Sequence, residues 1–269
     1  MYRGFNIKYE DYQINDKYYK IGSEIQNTKK NEIKERFKQY LIDNKTISGN
    51  HIMNEWFPKN EYHIFLSHSH DDLDLALTIA GILKEEHNLN VFVDSNVWLN
   101  SNDLLKIIDN EFCKNIDSLT YNYDARNYST SHVHMMLMNS LNSIINSSEA
   151  LFFLNTPNSI SAKEVIKQET FSPWIFAEIE TSKIINKITP ERLFRRTAMF
   201  SDFEKGYVSL NESGSRDLQI SYELELSHLT DVNSYEFEEW INNYYISPEN
   251  ALDNLYDYKG LKNILIEKL

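Results

Sequence analysis

The stretch Tyr62-His63-Ile64-Phe65-Leu66-Ser67-His68-Ser69-His70-Asp71-Asp72 decides the fold. His63-Ile64-Phe65-Leu66 reads as a short strand. It gives way to polar residues and then to Leu73, Ala76, Leu77, Ala80 and Leu83, which share one face of a helix. Asp71 or Asp72 stands where a helix cap belongs. The strand-then-helix unit recurs downstream. Val91-Phe92-Val93 is a second strand ending at Asp94, and a polar loop through Ser95, Asn96 and Trp98 leads to a helix near Asp103–Phe112. Val133, Met136, Leu137, Leu141 and Ile144 mark another helix. The apolar run Ala150-Leu151-Phe152-Phe153-Leu154 after it lacks alternation, which suits a parallel strand covered on both faces. Ser172-Pro173 supplies an N-cap and first-turn proline for a helix from Trp174 to Ile185. Arg196–Phe200 and Gln219–Leu224 read as further strands and Glu236–Tyr245 as a late helix. Strands alternating with helices imply right-handed crossovers and a central parallel sheet.

Upstream, residues 1–25 show no clear period. Ile33, Phe37, Tyr40 and Leu41 place an apolar stripe on a helix from about Lys30 to Asp43, and Gly49 and Pro58 bracket a connector containing Trp56 and Phe57. No internal repeat is present. Residues 1–60 therefore read as an N-terminal helical extension and residues 61–269 as the α/β domain.

Composition narrows the function. Against 27 basic residues stand 40 acidic ones, a formal charge of −13 that repels phosphate backbones and anionic headgroups, so neither nucleic acid nor a membrane surface is an expected partner. The 7 glycines never fall into G-x-G-x-x-G or G-x-x-x-x-G-K, which excludes the dinucleotide fingerprint and the P-loop. With Cys113 as the single cysteine, neither an internal disulfide nor a thiolate zinc site can form. No apolar run approaches the roughly 20 residues of a membrane span, and Met1-Tyr2-Arg3-Gly4-Phe5 lacks the apolar region of a secretory signal. A cytoplasmic protein is expected.

Loops at the carboxyl ends of parallel strands are where α/β folds place ligands. Here they read Ser67-His68-Ser69-His70-Asp71-Asp72, Asp94-Ser95 and Asn155-Thr156. The later helix carries Trp174 and Glu178 four residues apart, on one face. A tryptophan beside a carboxylate can stack a planar heterocycle while the anion meets positive charge developing on a sugar carbon. Trp174 can equally be a core residue, and Glu178, close to Glu180, a solvent-facing one.

Together these residues resemble a bacterial TIR (Toll/interleukin-1 receptor) domain. The first strand, Val91-Phe92-Val93-Asp94 with its following loop, the W-x-x-x-E of Trp174 and Glu178, Ile220-Ser221-Tyr222-Glu223-Leu224 and the helix of Trp240 follow in the family's order, over residues 61–269. The resemblance implies a flavodoxin-like α/β fold, a central parallel sheet with helices on both faces, beside the N-terminal extension. In the enzymatic branch it implies cleavage of the nicotinamide–ribose bond of NAD+, a substrate and not a cofactor, with Glu178 catalytic. Losing nicotinamide leaves an oxocarbenium-like ribosyl cation that a nearby anion stabilises. By the same transfer His68, His70, Asp94, Trp98 and Trp174 bind substrate, although Asp94 can instead be a turn or capping acceptor. Similarity to stand-alone TIR proteins of Thoeris-type antiphage defence implies an ADP-ribose-derived signal, self-association through the domain, a phage-derived trigger and a separate effector that senses the product. Two features depart from the family: the loop after Asp94 lacks its usual proline and glycine, and a polar stretch is inserted over Lys114–Ser131.

Two other classes remain open. A TIR module can serve protein association alone. His68-x-His70-x-Asp72 also begins like a metallo-hydrolase motif, but Leu73 stands where that motif needs histidine, and His132 and His134, two apart on a helical pattern, point away from each other, so no metal is expected.

Overall fold

The computed structural model describes residues 1–9, 14–35, 46–56, 61–115, 120–164, 167–193 and 220–261. In chain order its elements are β1 (Arg3–Lys8), α1 (Asp16–Glu35), α2 (Gly49–Trp56), β2 (Ile64–Ser67), a 3-10 turn (His70–Asp72), α3 (Leu73–His87), β3 (Val91–Val93), α4 (Ser95–Phe112), α5 (Tyr123–Ser147) and β4 (Ala150–Asn155). There follow β5 (Ser161–Glu164), β6 (Lys167–Thr170), α6 (Pro173–Ile184), a second 3-10 turn (Glu191–Leu193), β7 (Tyr222–Glu223), β8 (Thr230–Asn233), α7 (Ser234–Asn242) and α8 (Pro248–Tyr258).

The central sheet has the order β3-β2-β4-β1-β8, and every pairing in it is parallel. Strand alternation divides its side chains between two apolar layers. Ile64, Leu66, Phe152 and Leu154 join Ala76, Ile79 and Leu83 of α3 and Phe237, Trp240, Leu252 and Tyr256 of α7 and α8. Phe65, Leu151 and Phe153 point the other way, into Leu104 and Ile108 of α4, Leu137 and Leu141 of α5, and Ile175 and Ile179 of α6. Every residue of the run 150–154 is buried, as a strand covered on both sides must be. The fold is therefore α/β and flavodoxin-like, a parallel sheet with helices on both faces.

The N-terminal region is helical in α1 and α2, yet it also supplies a strand that periodicity does not reveal. β1 lies between β4 and β8, with Phe5 beside Phe152 and beside Thr230, so a division at residue 60 separates strands that share hydrogen bonds. Its signal is masked because Gly4 and Asn6 interrupt a short apolar run. Asn6, 2% exposed, donates to Asp231 Oδ1 (2.7 Å) and accepts from Asn155 Nδ2 (2.9 Å), which satisfies a polar group in mid-sheet. Of the helix read over Lys30–Asp43, the part to Glu35 ends α1; Phe37, Tyr40 and Leu41 lie outside the described residues, as do Phe57, Pro58 and the strand expected at Arg196–Phe200.

Three further expectations are corrected. The loop after Asp94 is helical, since no proline or glycine interrupts Ser95–Phe112 and α4 runs unbroken. Part of the inserted polar stretch is the first turns of α5, started by Asn122, whose side chain accepts from Ala125 N (2.9 Å). The Gln219–Leu224 strand survives only as β7, which pairs antiparallel with β6 in a separate three-stranded sheet; β1 occupies the place beside β4.

α1 packs across α3 at two glycines. A Cβ on Gly22 would overlap the Leu77 carbonyl oxygen, and one on Gly81 the Tyr18 carbonyl oxygen. Backbone cannot yield as a side-chain tip can. Gly81→Ala should therefore cost about 1–3 kcal/mol through forced separation of the helices, although alanine is the better helix former. Urea titration checks this: a midpoint equal to or above the parent's contradicts the close approach.

Candidate active site

All strands of the central sheet point the same way, so their carboxyl ends share one edge. β2 leads outward to β3, while the chain leaving β4 passes across β1 to β8; the crevice between β2 and β4 is where these directions diverge, the usual place for a ligand in such sheets. Ser67 ends β2, Asp94 follows β3 and Thr156 follows β4. Alternation puts Ser67 on the same side as Phe65, facing α6.

α6 is set in phase by its start. Ser172 Oγ accepts from Ile175 N (3.3 Å) and Pro173 occupies the first turn. Ile175, Glu178, Ile179 and Ser182 then fall on the buried side. One position of that apolar face is thus a carboxyl group. Glu178, 1% exposed, accepts through Oε2 from Ser67 Oγ at 2.6 Å.

Asp94 and His68 complete the cluster, 3% and 2% exposed. His68 Nδ1 lies 2.6 Å from Asp94 Oδ1 and 3.4 Å from the Leu66 carbonyl oxygen. The buried Glu178 Oε1 has no hydrogen-bond partner among the described residues. Burial, then the charge of Asp94 and a hydrogen bond with it, hold the Glu178 carboxyl well above its ordinary range, against the smaller opposing effect of Ser67. For His68 burial favours the neutral ring, but the charge and hydrogen bond of Asp94, helped by the Leu66 carbonyl and Asp72, outweigh it and shift the imidazole upward. The arrangement is a buried Glu178 with raised proton affinity beside Asp94, and a His68 imidazole shifted upward by the same neighbour.

A second network anchors the neighbouring loops. Asp72, at the N-cap position of α3, makes no side-chain cap. Its carboxylate accepts instead from Thr156 Oγ1 (2.5 Å), Asn158 Nδ2 (2.7 Å) and Ser159 Oγ (3.4 Å), which ties the turn after β2 to the turn after β4.

Of the residues expected at the site, the structure thus brings His68, Asp94 and Glu178 together. His70 is exposed on the 3-10 turn. Trp98 lies in the first turns of α4, where only its backbone is described. Trp174 is half-buried against the apolar layer of α4, α5 and α6, with the His134 ring edge-on at 5.5 Å. His68, His70 and Asp72 do not converge as metal ligands: His68 turns to Asp94 and Asp72 to Thr156, and among the described residues no group of three or more His, Cys, Asp or Glu side chains could hold a metal ion. His132 packs beside Tyr128 at 4.3 Å. Sequence reasoning did not single out Ser67; the alternation from Phe65 was the signal that could have found it.

No family model, no curated protein and no solved structure matches the chain.

A carboxyl whose proton affinity rises on folding makes stability depend on pH. The unfolded chain releases this proton near the ordinary value of 4.5, whereas the folded chain releases it only at higher pH, so the native state binds more protons in between and its stability falls as pH rises toward the raised value. Glu178→Gln needs no proton and can still accept from Ser67. The variant should melt higher relative to the parent at pH 8 than at pH 4, both melts taken at equal ionic strength. A difference that does not change with pH contradicts a protonated Glu178.

Proposed function

We propose that this protein is a TIR-type enzyme that cleaves the nicotinamide–ribose bond of NAD+, as an NAD+ nucleosidase or ADP-ribosyl cyclase. One observation carries the reading: a buried carboxyl group, Glu178, with an unsatisfied oxygen and raised proton affinity, stands at the carboxyl edge of a parallel sheet. A buried ionisable group of this kind is costly to keep in a surface that serves only association, and perturbed carboxyls gather at catalytic sites. The −13 charge also disfavours polyanionic partners and leaves a small molecule as the natural ligand.

In this mechanism the ribose hydroxyls take over the hydrogen bond that Ser67 donates to Glu178. The positive nicotinamide ring draws the carboxyl toward its anion, because an opposite charge favours the charged form. Departure of neutral nicotinamide transfers positive charge to the ribosyl carbon, and the Glu178 anion stabilises it. Water or a hydroxyl of the same molecule then closes the reaction, giving ADP-ribose or a cyclic form. Glu178 gives up its proton as the cationic substrate binds; Asp94, whose charge raises the proton affinity of Glu178, lies against His68. Trp174, one turn before Glu178, stacks on a ring of the substrate, and the same reading makes His70 and Trp98 substrate-binding residues. The same reading carries a cytoplasmic location, self-association through the domain, a phage-derived trigger and a separate effector that reads the product. Among the described residues no helix is long and apolar enough to cross a membrane.

Purified protein incubated with NAD+, with and without extract of infected cells, should release nicotinamide in at least one arm, resolved by mass; Glu178→Gln and Glu178→Ala should release none while remaining folded. Release undiminished in the variants, or none from the parent in either arm, overturns the proposal. For the parent, kcat/KM should rise with pH as free Glu178 loses its proton, and Asp94→Asn should move that limb to lower pH. A limb unmoved by Asp94→Asn removes Asp94 from the pair.

Trp174→Ala should lower kcat/KM by roughly tenfold to a hundredfold, the value of one lost ring stack, with Trp174→Phe intermediate. Initial rates and thermal melts on both variants decide it. A large fall in Tm with kcat/KM preserved in the folded fraction makes Trp174 a packing residue.

A further inference from the structure

The opposite face of the sheet carries a separate pocket of about 380 Å³, formed by α7, α8 and the turn between them. Its volume falls within the range of small-molecule sites, roughly 300–1,000 Å³. It is distinct from the Glu178 cluster, since Trp240 belongs to the layer of α3, α7 and α8, and α6 packs in the other.

Four aromatic residues, Trp240, Tyr244, Tyr245 and Tyr258, line it together with three asparagines, and Glu239 is the single charged residue of the lining. Two of the rings are fixed in place, Tyr245 half-buried and Trp240, 3% exposed, packed mostly into the core. Trp240 Nε1 donates to the Ala251 carbonyl (2.9 Å), and Tyr245 Oη to the Trp240 carbonyl (2.9 Å), with the His87 ring 5.1 Å behind Tyr245. The other two stand at the rim: Tyr244 is 86% exposed and Tyr258 50%. Tyr258 Oη donates to Glu239 Oε2 (3.2 Å), which holds the carboxylate beside the rings. Large exposed aromatic side chains next to a concavity mark binding surfaces more often than isolated ones do.

The chemistry of that lining selects a charge. A lining with a carboxylate and no cation disfavours phosphates and carboxylates at this pocket. Aromatic rings carry a negative face that attracts cations. Quaternary ammonium and N-alkylpyridinium ions donate no N–H bond and are only weakly hydrated, so rings plus one carboxylate satisfy them better than water-seeking amides alone would.

We infer that the pocket between α7 and α8 binds a small organic cation of the quaternary ammonium or N-alkylpyridinium class, held against Tyr244, Tyr258 and the Trp240–Tyr245 pair with Glu239 as counter-ion. The site stands independently of the NAD+ reading.

Calorimetric titration of the whole chain with choline, N-methylpyridinium and the neutral carbon isostere of choline, 3,3-dimethylbutan-1-ol, tests it. At least one of the two cations should bind saturably, and the alcohol weaker than choline by roughly three- to thirtyfold or not at all. Tyr244→Ala and Glu239→Gln, both at exposed positions, should each weaken cation binding by a similar factor while the melting curve stays that of the parent. Neither cation binding, the alcohol binding as well as choline, or cation binding untouched by both variants overturns the inference. So does binding confined to a trimethyl-lysine peptide, which would make the pocket a site for a protein partner.

Discussion

The burial of the Glu178 carboxyl beside the charge of Asp94 is the constraint on which the site depends. Burial and the neighbouring negative charge both disfavour the ionised form of Glu178. Ser67 fixes one oxygen of Glu178, and His68 meets the charge of Asp94. Each member is positioned by ordinary secondary structure. Alternation along β2 turns Ser67 toward α6, the end of β3 delivers Asp94, and the Ser172 cap with Pro173 sets the phase of α6. A slip of one residue in that helix would rotate Glu178 by about 100° and dissolve the pair.

Keeping such a cluster demands stiffness around it. The apolar layers on both faces of the sheet supply it, and the Asp72 network fastens the loops after β2 and β4 to each other. The polar ladder of Asn155, Asn6 and Asp231 does similar work across three strands. The edge of the sheet that holds the Glu178 cluster also carries the buried Asp72 network. On the other face, α7 and α8 leave their aromatic pocket open, and its surroundings owe nothing to the carboxyl pair.

The strands at 64–67, 91–93 and 150–155 were legible because each is a short apolar run bounded by polar residues, and α6 because Ser-Pro announces a helix start. Spacing alone placed Glu178 and Trp174 on one helix, but it could not tell that Glu178 faces the core, since a lone acid on an apolar stripe reads equally as the stripe's edge. β1 escaped notice for a related reason: its buried Asn6 looks like a surface residue until Asp231 and Asn155, more than a hundred positions away, arrive to bond it. β8 and α8 are likewise too short and too polar in sequence to declare themselves; Asp231 and the asparagines of α8 hide positions that burial assigns only in three dimensions. The helix over Ser95–Phe112 was misread at its start because polar residues after a strand suggest a loop, although nothing there breaks a helix.

The protonation state of Glu178 is the quantity closest to this account. Difference infrared spectroscopy between the parent and Glu178→Gln at neutral pH reads it directly. The account predicts a protonated carboxylic C=O band present in the parent, absent from Glu178→Gln and weakened in Asp94→Asn. A parent spectrum that shows only the paired stretches of an ionised carboxylate at this position, with no protonated band lost on substitution, would contradict it.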